Sequence, residues 1–197
     1  MKILITGAAG FIGYHLCKLL LNEDYQILGI DNINKYYDKN IKLDRLALLK
    51  NYKNFNFKKI DITSRDQVSN IFDDFNPLKV INLAAQVGVR HSIQNPFSCI
   101  NSNLLGFANL IEFSRINGVE SFIYASSSSV YGNSNKLPSL EFEINKNPGS
   151  LYGTSKKINE LIANTYSELY GLNTTGLRFF TVYGPWGRPD MAYFNFT

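Results

Sequence analysis

Apolar positions along the chain fall into short runs that switch between two spacings. Lys2-Ile-Leu-Ile-Thr6 is a β-branched run that ends at a glycine, and behind it Phe11, Ile12, Leu16, Leu19 and Leu20 recur at the period of a helix. The pattern predicts strand, tight turn, helix. It then repeats, with strands over Gln26–Asp31, Asn56–Ile60, Lys79–Leu83, Ser121–Ala125 and Thr174–Phe179. Helices are predicted between them near Ile41–Asn51, over Arg65–Phe75, from about Pro96 to Asn117, and over Tyr152–Tyr170. Strands separated by helices imply parallel pairing through right-handed crossovers. The fold class is therefore α/β, a doubly wound parallel sheet with helices on both faces. Val80-Ile-Asn-Leu-Ala84 and Phe122-Ile-Tyr-Ala125 are nearly continuous in apolar character, as strands covered on both faces are.

Two stretches break the alternation. Asn32–Asn40 and Ser126–Ser150 are rich in Asn, Ser, Gly and Lys and read as long loops, which in an open sheet lie at the carboxyl ends of strands, where ligands bind. Apolar residues make up 45% of the 197 positions and charged residues 18%, with 14 Phe and 12 Tyr spread throughout, so the chain can bury a core and disorder is excluded. Without an internal repeat or linker, residues 1–197 read as one domain. No apolar run approaches a bilayer span, and Gly7 interrupts the start before a signal-peptide core develops, so the expectation is a cytoplasmic protein with no membrane partner. Cys17 and Cys99 are isolated thiols, which fits a reducing compartment and excludes a cysteine zinc site; no metal is expected. The net charge of +4 is dispersed rather than striped, which argues against nucleic acid and suits an anionic small molecule.

Gly7-Ala-Ala-Gly10-Phe-Ile-Gly13 follows the first strand and opens the first helix, the context in which a glycine fingerprint carries weight. Gly7 suits a tight turn, Gly10 a close approach of a pyrophosphate to the helix N-terminus, and Gly13 close packing of helix on sheet, as in a Rossmann-like domain. Three glycines alone are also an ordinary turn. Asp31 weakens that alternative, because it ends the second strand where a carboxylate meets the ribose of adenosine and repels a 2′-phosphate, favouring NAD over NADP. Its other reading is a loop cap. Asp61, at the end of the third strand, is placed for an adenine contact.

The GxxGxxG spacing resembles the short-chain dehydrogenase/reductase superfamily, which demands a Tyr-x-x-x-Lys pair further on. Chance supplies about one such match in a chain this rich in Tyr and Lys. Two occur: Tyr14/Lys18, beside the glycine turn, and Tyr152-Gly-Thr-Ser-Lys156, which opens a helix after the fifth strand and the serine run Ser126–Ser129. Only the second has the context. Residues four apart on a helix share a face, so the Lys156 ammonium can lie near the Tyr152 phenol and, with the charge of oxidised nicotinamide, bring its pKa down from about 10. Tyr152 then serves as general base, and a serine hydroxyl holds the substrate oxygen; its position before Val130-Tyr131-Gly132 favours Ser127 over Ser126 or Ser128. The alternative is a polar loop followed by a helix-start aromatic.

Asp31-Asn32, Leu83-Ala84-Ala85, Tyr124-Ala-Ser-Ser-Ser-Ser-Val-Tyr-Gly132 and Leu177-Arg-Phe-Phe-Thr-Val-Tyr-Gly-Pro185 together resemble the NAD-dependent epimerase/dehydratase family over essentially the whole chain. The resemblance implies NAD as cofactor, held by Gly7, Gly10, Phe11, Ile12, Gly13, Asp31, Asn32, Asp61, Ile62, Leu83, Ala84, Ala85, Tyr152 and Lys156. It implies a UDP-sugar substrate. Ser128 and Ser129 stand where sugar dehydratases of the family carry an Asp-Glu pair, which disfavours dehydration. Asp31–Asp38, Gln86–His91 and Phe180–Met191 most resemble family members that epimerise UDP-glucuronate at C4, implying substrate contacts from Ser127, Ser128, Thr181, Arg188 and Arg90. Arg188 then meets the sugar carboxylate, since guanidinium matches a carboxylate fork; otherwise it is a surface arginine in a turn. Other expectations are epimerisation of a neutral UDP-sugar or a nucleotide-binding fragment without turnover. The resemblance further implies a homodimer through the helices beginning at Pro96 and Tyr152, and a C-terminal sugar-nucleotide domain largely absent from these residues.

Overall fold

A computed structural model describes residues 1–132, 138–142, 147–191, 194 and 196. The elements run β1 (Lys2–Thr6), α1 (Phe11–Asn22), β2 (Gln26–Asp31), α2 (Lys39–Leu49), β3 (Phe55–Lys59), α3 (Arg65–Phe75), β4 (Lys79–Asn82), α4 (Val89–Gln94) and α5 (Pro96–Ile100). A π-helical turn (Asn101–Leu105), α6 (Gly106–Ile116), β5 (Ser121–Ser127), a 3₁₀ turn (Ser128–Tyr131), α7 (Leu151–Tyr170) and β6 (Thr174–Phe179) complete it. The strands form one six-stranded parallel sheet in the order β3-β2-β1-β4-β5-β6. Strand order reverses between β1 and β4, and there the carboxyl ends diverge to open a crevice.

Successive residues of β1 face opposite sides. Leu4, with Leu28, Val80 and Phe122, packs under α3 and α6 through Val68, Phe72, Phe107 and Leu110. Ile3 and Ile5, with Ile27 and Ile81, pack against α1 and α2 through Cys17, Leu21, Leu46 and Leu49. This two-sided burial is the doubly wound architecture expected from the apolar strands.

Several boundaries differ from the sequence expectation. β3 and β4 end one residue earlier than expected. α2 begins at Lys39 rather than near Ile41, because the Asp38 carboxylate accepts the Asn40 amide at 2.9 Å and caps the helix. The single helix expected over Pro96–Asn117 is α5, a π turn and α6 end to end, and α4 precedes it unannounced. The π turn points Asn103 inward, where its Oδ1 accepts the Gln86 amide at 2.8 Å and its Nδ2 donates to the Ser155 hydroxyl at 3.0 Å. β5 runs through Ser127, so the loop expected from Ser126 starts later: Ser126 and Ser127 pair with Arg178 and Phe179 of β6, and the ladder overrides the weak strand preference of serine. Residues 133–137 and 143–146 of that loop lie outside the described residues. α7 begins at Leu151, one residue before the expected Tyr152, with the Ser150 hydroxyl accepting the Gly153 amide at 3.0 Å.

Candidate active site

The crevice is lined from one end by the glycine turn and from the other by the serine run and the start of α7. Gly7 follows β1 at φ +70, and a Cβ there would stand 2.9 Å from the Ala84 amide nitrogen. Gly13 is tighter still: its Cβ would come within 2.1 Å of the Gly7 carbonyl oxygen. The two glycines let α1 start directly beneath the sheet edge. Gly10 caps α1 without a side-chain bond, and the first turn holds no acidic residue, so the amides and positive end of a twelve-residue helix are left to an anion.

Asp31 closes the far side of this turn. Its carboxylate accepts the Ile33 amide at 2.8 Å and the Ala9 amide at 3.3 Å, so it both caps its own loop and faces the glycine turn. Burial pushes its pKa up, against the pull of the Lys42 ammonium. Asn32 donates to Asp61 at 2.9 Å, and Thr63 gives Asp61 both its amide and its hydroxyl. Burial pushes the Asp61 carboxyl up, but these hydrogen bonds outweigh it and hold it below the ordinary range. Phe11, Ile12, Ile62, Leu83, Ala84 and Ala85 line the same crevice. An open helix N-terminus, a cradle that any Cβ would fill and a carboxylate at the end of β2 fit a dinucleotide with two ribose hydroxyls at that carboxylate.

Tyr152, Lys156 and Ser127 come together at the other end. The Lys156 ammonium donates to the Ala125 carbonyl at 2.8 Å and lies 6.0 Å from the centre of the Tyr152 ring. Burial lowers the Lys156 pKa to about 8. The Tyr152 phenol departs from the expectation: burial holds it above its ordinary value, although a hydrogen bond with Ser127 and the charge of Arg188 pull the other way. Nearby charge therefore does not overcome desolvation in the protein by itself. The Ser127 hydroxyl oxygen accepts the Ser129 amide at 3.1 Å, which leaves its proton to donate elsewhere. Tyr14, of the second Tyr-x-x-x-Lys match, is buried in the α1–α2 core and outside the crevice lining.

Ser128, Thr181 and Arg188 line the same crevice, whereas Arg90 is exposed on α4 and outside the lining. Arg188 is no free surface arginine. Its guanidinium is forked onto Asp190, Nε to Oδ1 at 3.0 Å and Nη2 to Oδ2 at 2.5 Å, and lies 5.6 Å from the centre of the Tyr36 ring. Sequence reasoning missed Arg45, fully buried on α2. It donates to the Ala9 carbonyl at 2.9 Å, to the Tyr37 hydroxyl at 2.7 Å, and to the Trp186 and Gly187 carbonyls at 2.6 and 3.2 Å. One side chain thus ties the glycine turn to the segment that carries Arg188. No local pattern announces it: Lys42 and Arg45 share the buried face of α2 with Leu46 and Leu49, whereas Leu43 and Leu48 of the same helix are exposed.

Fold and crevice define a dinucleotide-binding domain with Tyr152, Lys156 and Ser127 gathered at its switch point. Residues 3–196 match the model of the NAD dependent epimerase/dehydratase family, and the chain belongs to that family. Over 197 residues it is 54% identical to protein CapI of Staphylococcus aureus, covering all of this chain and 59% of that protein. It is 48% identical to UDP-glucuronate 4-epimerase 5 of Arabidopsis thaliana, covering all of this chain and 45% of the relative. The crystal structure of UDP-glucuronic acid 4-epimerase from Bacillus cereus, in complex with UDP-glucuronic acid and NAD, superposes with a TM-score of 0.89 at 36% identity, covering 98% of this chain and 61% of that one. UDP-glucose 4-epimerase of Thermus thermophilus, in complex with NAD, gives 0.84 at 32% identity, with 98% and 59% covered. The chain thus spans about half to three-fifths of the length of these relatives. NAD is the cofactor of the family, and the residues present fit it.

Proposed function

We propose that this chain carries the NAD-binding and proton-transferring part of a nucleotide-sugar 4-epimerase whose substrate is UDP-glucuronate, converted to UDP-galacturonate. The observation that carries the reading is Arg188, held in the same crevice as Tyr152, Lys156 and Ser127. A guanidinium there matches the fork of a sugar carboxylate, a group that a neutral hexose lacks.

What NAD supplies when bound is a reversible hydride acceptor for C4 of the sugar and a positive charge that favours the Tyr152 phenolate. Tyr152 Oη takes the proton of the sugar 4-hydroxyl and later returns it, as general base and then general acid. Ser127 donates to the oxygen at C4 while it is a carbonyl. Lys156 is fixed by the Ala125 carbonyl beneath the phenol, so its ammonium is positioned before substrate arrives. The 4-keto sugar carries its carboxylate β to the carbonyl and loses carbon dioxide if that bond aligns with the carbonyl π system. Arg188 and Thr181 hold the carboxylate out of that alignment. The sugar turns over in the site before the second hydride step and so emerges with C4 inverted.

Incubation of the chain with NAD and UDP-glucuronate, followed by proton NMR, should give UDP-galacturonate. In Arg188→Ala the rate falls and UDP-pentose appears as by-product. Epimerisation of UDP-galactose alone would move the substrate to a neutral sugar. Binding of NAD without turnover of either sugar would mark the chain as a nucleotide-binding fragment.

A further inference from the structure

Resting on that reading of Arg188, we propose that Asp190 and Tyr36 are the positioning pair that presents Arg188 to a carboxylate in the crevice, and so set the preference for acidic over neutral sugars. Asp190 occupies the Nε–Nη2 edge of the guanidinium with two hydrogen bonds. Arg188 and Tyr36 line the crevice, and Asp190, which grips both, stands outside that lining. Nη1 takes no hydrogen bond among the described residues, which leaves the outer edge of the fork for a second carboxylate. Tyr36 completes the mount. Its hydroxyl donates to Asp190 Oδ2 at 3.1 Å while its ring lies under the guanidinium.

Tyr36 is itself confined. The His91 ring meets it edge-on at 4.8 Å, and at Gly88, where φ is +101, a Cβ would stand 2.7 Å from the Tyr36 hydroxyl oxygen. A glycine at position 88, which caps α4, thus leaves the tyrosine room to reach Asp190. An arginine held on one edge and one face loses little rotamer freedom when it binds a carboxylate, whereas an unheld one must be ordered at that moment. A sugar with a neutral C6 gains nothing from the mount. Asp190 therefore acts on the acidic substrate through Arg188, without touching the reacting atoms.

Calorimetric titration of the NAD-loaded chain with UDP-glucuronate and with UDP-galactose tests this. Wild type should favour UDP-glucuronate, and Asp190→Asn should cut that preference by about tenfold, the worth of one hydrogen bond to a charged group, while UDP-galactose affinity stays the same. Tyr36→Phe, which keeps the ring, should cut it less. In NMR, the Arg188 Nε–H should exchange slowly with solvent in wild type and quickly in Asp190→Asn, a signature independent of sugar. A preference unchanged or increased in Asp190→Asn overturns the proposal, as does an equal loss for both sugars or fast exchange in wild type. A wild-type chain that shows no preference for the acidic sugar overturns instead the substrate reading on which the proposal rests.

Discussion

At the scale of single residues, the constellation is held against its own electrostatic cost. Lys156 is buried and its pKa is lowered to about 8, so the folded protein disfavours its charged form relative to the unfolded chain, where the value is about 10.4. A base lowered in the folded state destabilises the fold fully below pH 8, and that penalty fades as pH rises toward the unfolded value. Lys156→Met should therefore raise stability at pH 7 by about 1–2 kcal/mol, net of the hydrogen bond lost at Ala125, while abolishing turnover. Denaturant melts at pH 7 and pH 10 check it: the gain should shrink at the higher pH. A stability loss at pH 7 would mean that the ammonium is solvated or paired in a way the fold does not show. Asp31 caps its own loop through one oxygen, which accepts the Ile33 amide, and reaches the glycine turn through the other, which accepts the Ala9 amide.

Elements show where sequence was readable and where it was not. β1, β2, α3 and β6 lie within their expected bounds because each is a clean period between glycine or polar breaks. Tyr152, Lys156 and Ser127 were readable because spacing and neighbouring motif agree. The π turn was not, because Asn103 earns its place from Gln86 and Ser155, partners 17 and 52 residues away that no local pattern contains. Arg188 was visible as a residue but its mount was not, since Tyr36 and Asp190 are 154 positions apart. Arg45 joins α2 to both the glycine turn and the Trp186 segment, where Trp186 sits at φ +60, a strained conformation for a bulky residue. Arg45→Leu should cost about 2–4 kcal/mol of stability by leaving four acceptors without their donor, and should weaken UDP-glucuronate more than NAD because only one of those acceptors lies in the glycine turn. Thermal melts and separate NAD and sugar titrations check this; equal weakening of both ligands would show that Arg45 supports the fold without transmitting position.

The whole molecule presents an apolar stripe on α4, α5 and α7, where Ile93, Phe97 and Leu161 are 73%, 77% and 59% exposed. A homodimer through α5 and α7, as the resemblance implies, would place its partner there. Light scattering should return twice 22.3 kDa for the wild type and the single mass for Phe97→Asp with Leu161→Asp; a monomeric wild type would contradict it. The same sheet topology sets the glycine turn at one end of a crevice and the Tyr152 phenol at the other, and chemistry requires one dinucleotide to reach both. Tyrosinate absorbance of wild type minus Tyr152→Phe gives the ionisation midpoint of that single phenol. Without NAD the midpoint should lie above the ordinary tyrosine value, as burial dictates. Saturation with NAD should bring it down by one pH unit or more, with Lys156→Met losing part of the drop. A midpoint that does not move when NAD binds would separate the two ends of the crevice, and Tyr152 would not be the base.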